Sequence, residues 1–168
     1  AFAIARRAGV RTVLNPSPWQ QLPPDLLANT DVLVMNEVEA AELLALERPL
    51  SGLSLAECAA TLNALLDSFW SQWPGELLVV TLGRLGSLAC ERHAAIHAVP
   101  AFSIEAVDSV GAGDAFASGF CIALCRGAPL AQALQAGNAC GALVTSRLGV
   151  LDVLPDQMAV EAFLKSAV

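Results

Sequence analysis

The chain has 168 residues, enough for one domain with its own core, and 55% of them are hydrophobic against 15% charged. A formal net charge of −7, with no basic cluster beyond Arg6, Arg7 and Arg11, argues against nucleic acid or an anionic membrane as partner. No run of about eighteen apolar residues escapes a charge or strong polar interruption, so no membrane span is expected. The surplus apolar content points instead to a sheet buried on both faces.

Residues 1–8 read as a helix, 11–15 as a strand, 24–29 as a short helix, and 32–35 as a buried strand that ends at Asn36. A helix is expected over 37–46. Ser54 caps the next helix, over 55–69, with Glu57 at the capping-box position, and Trp73-Pro74-Gly75 stops it before a strand over 77–81. After Gly83 the pattern changes to two short antiparallel strands, 87–91 and 94–99, with a further strand possible over 104–107. Helices follow over 112–125, from Pro129 at a first-turn position to 147, and over 155–166. Strand followed by helix, repeated, is the logic of a doubly wound α/β fold. In such sheets ligands bind outside the carboxyl edge, where Asn36, Glu39, Thr81, Gly83 and the 111–114 turn are all expected.

Five cysteines with no C-x-x-C pair suit a reducing cytoplasm. Cys121 and Cys125 share a helix face, but no His or carboxylate joins them at ligand spacing, and core packing is the expectation. His93 and His97 lie in an alternating segment without partners and take no catalytic role.

The stretch from Asp108 to Phe120, Asp-Ser-Val-Gly-Ala-Gly-Asp-Ala-Phe-Ala-Ser-Gly-Phe, carries the most chemistry. Gly111 and Gly113 lack Cβ atoms, so a tight turn can present bare N–H groups at a helix start, where unpaired amides and the helix dipole favour an anion. Asp114 in that first turn repels phosphate but can take the proton of a hydroxyl attacking one. The spacing suggests phosphoryl transfer to an alcohol. Standing alone, a Gly-x-Gly-Asp is as readily a capped and closely packed helix start.

That stretch resembles the D-[TS]-x-G-A-G-D-x-F signature of the ribokinase-like (pfkB-type) carbohydrate kinases. Asn15-Pro16-Ser17-Pro18 followed by Leu22-Pro23, then Asn36-Glu37-Val38-Glu39-Ala40, then Thr81-Leu82-Gly83, match the family in its own order. The resemblance implies a three-layer α/β/α, Rossmann-like sheet. It covers the whole chain, 1–168, as the nucleotide-binding C-terminal part of such a domain, without the sugar-binding N-terminal part and its lid. The opening on Ala1 within a helical pattern fits a fragment truncated at the N-terminus.

By the same resemblance Asp114 is the catalytic base, and the amides of Ala112, Gly113 and Asp114, after Gly111, form the anion hole. Asn36 and Glu39 order Mg²⁺ through water, although a cap at Asn36 closed by Glu39 accounts for the pair equally well. Thr81 and Gly83 meet the phosphate side of ATP. Asn138 lies beside the base, with Gly141, Ala142 and Thr145 small enough to admit a flat ring or a packed helix. Asp108, with Val110, Val144, Arg147 and Gly149, occupies the positions of a possible K⁺ site, whose last polar side chain is replaced here by Val153.

The implied activity is transfer of the γ-phosphoryl of ATP to a sugar hydroxyl, in a cytoplasmic enzyme of ribokinase-like type that forms a homo-oligomer, a dimer, when full length. Ribose, fructose, 2-keto-3-deoxygluconate or a nucleoside can serve as acceptor. The alternative is a non-catalytic nucleotide-binding or assembly remnant of such a kinase. A Rossmann dehydrogenase fits less well, because the glycine turn comes late and lacks G-x-G-x-x-G spacing.

Overall fold

Two apolar runs make the centre of the sheet. Val32–Asn36 (β2) and Leu77–Thr81 (β3) bury their first four residues almost completely, as parallel strands covered on both faces do. The computed structural model describes residues 1–167; Val168, the last residue of the expected domain span, lies outside the described residues. Val13–Leu14 (β1) pairs parallel to β2, and β2 parallel to β3. Gly86–Glu91 (β4) and His97–Pro100 (β5) complete a five-stranded sheet in chain order. The Arg92 amide donates to Glu76 O, placing the end of β4 beside the start of β3, the antiparallel addition that the pattern after Gly83 predicts.

The helices are Phe2–Arg7 (α1), Pro24–Ala28 (α2), Glu37–Leu43 (α3), Leu55–Gln72 (α4), Ala112–Cys125 (α5), Leu130–Thr145 (α6) and Gln157–Ser166 (α7). By compactness the chain divides into two units. Residues 1–82 with 88–98 form the first, and 83–87 with the residues from 99 onward form the second.

In the first unit, Ser54 and Glu57 close the expected capping box at the start of α4. Its other end is fixed by Trp73, whose indole N–H donates to Leu27 O and Thr30 O at 3.1 and 3.2 Å. Trp73 stacks on Trp70, and the Arg92 guanidinium lies 5.0 Å from the Trp70 ring while donating to the carbonyls of Trp70 and Gly75. A half-buried cation is thus satisfied by carbonyls and an aromatic face.

In the second unit, α5 and α6 pack closely. Gly119 and Gly137 leave room for Cys140 and Phe116, where an added Cβ would stand 2.5 and 2.8 Å from their side chains.

Several elements depart from the sequence expectation. Residues 104–107 form no strand, because the Val107 amide, like that of Asp108, donates to Thr145 O at the end of α6 rather than to a ladder. The helix expected over 37–46 ends at Leu43, with Ala45 at φ 49°. The last helix starts at Gln157, capped by Asp156, whose Oδ1 accepts from the Ala159 amide at 2.8 Å. Cys125, expected in the core, is exposed, whereas Cys58, Cys90 and Cys140 are buried.

Candidate functional site

In the first unit, Asn36 and Thr81 are register partners at the carboxyl ends of neighbouring parallel strands. The Asn36 Oδ1 accepts from the amides of Val38 and Glu39 at 3.0 and 2.9 Å, and Glu39 Oε2 accepts from the Asn36 amide at 2.9 Å. This capping box turns the chain from β2 into α3. It also buries the Glu39 carboxylate while Asn36 stays exposed. The Thr81 hydroxyl donates to Met35 O at 3.4 Å, crossing to the strand that carries Asn36. A hollow of about 420 Å³, lined by residues that include Glu37, Val38, Glu42 and Pro49, contains none of the expected site residues.

In the second unit, the glycine turn is built as the motif demands. Gly111 is the N-cap of α5 at φ 79°, and an added Cβ would meet Val150 Cγ1 at 2.9 Å. The Ala112 amide donates to Ser109 O at 3.2 Å, whereas the amides of Gly113 and Asp114 have no acceptor among the described residues. Gly113 leaves open space where a Cβ would stand, so no packing demand explains its lack of a side chain. Asp114 is exposed, its own carbonyl accepting from the Ser118 hydroxyl at 2.8 Å. Two unpaired amides and a free carboxylate therefore share the first turn of a fourteen-residue helix.

Around this turn the other expected residues are tied by backbone. Asp108 Oδ1 accepts from the Val110 amide at 3.0 Å, and the Val107 and Asp108 amides donate to Thr145 O at 2.8 and 3.2 Å. Gly141 faces the start of α5, where an added Cβ would lie 3.4 Å from Ala112 O. Ala142 is buried in α6. Asn138 is 9% exposed, and its Nδ2 donates to Val99 O and Pro100 O, both at 3.2 Å. Gly83, at φ 54°, opens a single 3-10 turn over Gly83–Leu85.

Residues 1–157 match the pfkB family of carbohydrate kinases. The chain belongs to that family.

Among its relatives is ribokinase of Staphylococcus aureus, 33% identical over 157 residues, which cover 92% of this chain and 48% of that protein. A ribokinase structure from Thermotoga maritima is 28% identical with a TM-score of 0.76, covering 98% of this chain and 52% of the other. Arabidopsis thaliana ribokinase, complexed with ribose and ATP, matches in fold with a TM-score of 0.86 at 23% identity, over 98% of this chain and 50% of its own. The chain thus spans about half the length of the relatives it matches.

The α/β sheet with appended antiparallel strands is the fold of these kinases. For a phosphate the pfkB turn fits, because donors without an acceptor stand at a helix start beside a glycine whose Cβ position is open. A Mg²⁺ here would be held through water by oxygens of Asn36 and Glu39; no group of three or more His, Cys, Asp or Glu is gathered among the described residues.

For K⁺ the fit is partial. The Val144 carbonyl, which accepts from the Arg147 amide, keeps a second lone pair, but Val153 lies in an apolar cluster with Ala115, Cys140 and Val144. Its Cγ1 would be 3.6 Å from a Cβ at Gly149.

What sequence reasoning missed is the support: the partners of Asn138 and Thr145 lie 37 to 39 positions away, and nothing local signals them.

Proposed function

We propose that this chain is the nucleotide-binding, base-bearing part of an ATP-dependent sugar kinase of ribokinase-like activity. The observation that carries the reading is the exposed Asp114 carboxylate directly after two amides that lack an acceptor. The acceptor hydroxyl attacks the γ-phosphorus in line, its proton passes to the Asp114 carboxylate, and the bond from phosphorus to the bridging β,γ oxygen breaks to release ADP. The amides of Gly113 and Asp114, with the turn formed by Gly111 and Ala112, hold the transferring oxygens. Asn36 and Glu39 would hold Mg²⁺ through water, and the ion would supply positive charge beside the phosphates. Thr81 and Gly83 serve the phosphate side of ATP, and Asn138, Ala142 and Thr145 the base side.

K⁺ enters the proposal only as a shell of Asp108 with the carbonyls of Val110, Val144, Arg147 and Gly149, short of an oxygen at Val153, and no step runs through it. Ribose is the proposed acceptor, since the ribokinases it resembles include one complexed with ribose and ATP. A cytoplasmic location and a homodimer of the full-length enzyme complete the reading; among the described residues no helix is long and apolar enough to cross a membrane.

Asp114→Asn tests it directly. In the full-length enzyme, transfer of labelled γ-phosphate to ribose should fall by ~10²- to 10⁴-fold, with ATP affinity nearly unchanged. Retained turnover removes Asp114 from the role of base. The second reading is a non-catalytic nucleotide-binding or assembly module, which ATP binding without transfer to any sugar would support.

A further inference from the structure

Asn138 lies in the middle of α6, yet both hydrogen bonds of its Nδ2 leave the helix for the carbonyls of Val99 and Pro100. Those residues end β5, and the same stretch of backbone meets the Gly83–Leu85 turn and the first residue of β4. A Cβ at Gly86 would stand 2.1 Å from Val99 O and 2.6 Å from Ala101 N, and only a glycine at φ 114° approaches so closely. The Ala101 amide donates to Leu85 O at 3.3 Å, closing the joint. Three residues after Asn138, on the same face of α6, Gly141 lies against Ala112 O at the start of α5. One helix face therefore supports both the joint between the Gly83–Leu85 turn and the end of β5 and the turn with the unpaired amides.

We infer that Asn138 is a positioning residue for the phosphate side of the nucleotide, acting through the Gly83–Leu85 turn, rather than only a neighbour of the base. The inference rests on the kinase reading above. Both donors of the side-chain amide are engaged by backbone, so only Oδ1 remains for a ligand. A contact with the base acts on the nucleobase alone. A joint that sets the turn acts on phosphates whatever base they carry.

Asn138→Asp separates the two, because it keeps Oδ1 and replaces both donated hydrogen bonds with an acceptor facing two carbonyl oxygens. Titrated by calorimetry with ATP, GTP and inorganic tripolyphosphate, the variant should bind all three more weakly by the same factor, ~10-fold. Exchange of the Ala101 amide should also accelerate. Asn138→Ala, which introduces no buried charge, repeats the test if the aspartate variant fails to fold. Weaker ATP binding with unchanged tripolyphosphate binding overturns the inference and leaves a base contact. Unaltered Ala101 exchange overturns it as well. Should the unsubstituted chain bind neither ATP nor tripolyphosphate, the kinase reading falls, and the exchange rate alone decides whether Asn138 holds the turn.

Discussion

Asn36 and Thr81 end adjacent parallel strands at the same level, and the Thr81 hydroxyl donates across to Met35 O, one residue before Asn36. The cap of α3 is thereby pinned to the end of β3, and Glu39 is held inward by the Asn36 amide. Cap and proposed metal role use the same two side chains. They respond differently to substitution.

Glu39→Gln keeps an oxygen for the Asn36 amide and removes the charge. Stability should change by less than ~1 kcal/mol, whereas Mg²⁺-dependent ATP affinity should fall by ~10-fold or more. Asn36→Ala removes the cap itself and should cost ~1 kcal/mol. Urea unfolding beside ATP titration with and without Mg²⁺ reads both. A Glu39→Gln protein with undiminished Mg²⁺ dependence leaves only the capping role.

The two glycines of the anion turn should part in the same way. Gly111→Ala places a side chain at φ 79° and against Val150, and should destabilise the fold by ~1–2 kcal/mol. Gly113→Ala meets nothing within 4 Å and sits inside a helix, so stability should hold or rise by up to ~1 kcal/mol. Its methyl group nevertheless adds bulk beside the unpaired amides, and ATP affinity should drop. A stable Gly113→Ala protein that binds ATP normally would place the phosphate elsewhere.

Burial pushes the Cys90 thiol up to about 12 from 9.0. With the folded value raised above the unfolded one, this stability is complete below pH 9 and is lost as pH rises through about 12, by roughly 1.4 kcal/mol per unit at most. Unfolding midpoints between pH 9 and 11 should therefore fall less steeply in Cys90→Ala than in the parent chain. Parallel slopes would assign alkaline sensitivity to other groups.

What could be read in advance follows the range of the interaction. Buried runs such as Leu77–Val80, the boxes at Asn36 and Ser54, and the Gly111–Asp114 turn are local, and each matches the structure within a residue or two. The stretch 104–107 alternates like a strand, but its fate depends on a helix end almost forty residues later, at Thr145. Asn138 is engaged in the same long-range way. Periodicity also shows which positions share a helix face without showing which face turns inward, which is how Cys125 came to be placed in the core.

Val153 decides how the protein should respond to monovalent cations. Its side chain is buried against Val144, Ala115 and Cys140, with Val160 packed on the cluster, so the wall beside Gly149 offers carbon where a cation needs oxygen. Asp108 remains, with one carboxylate oxygen taken by the Val110 amide. A lone carboxylate at the surface distinguishes poorly between cations at ordinary ionic strength. ATP affinity and melting temperature should therefore be the same in KCl as in tetramethylammonium chloride of equal concentration. Val153→Thr, nearly isosteric, should lose ~1–2 kcal/mol from the buried hydroxyl and recover part of that loss in K⁺ alone. Specific stabilisation of the unsubstituted chain by K⁺ would show that the shell closes with Val153 in place.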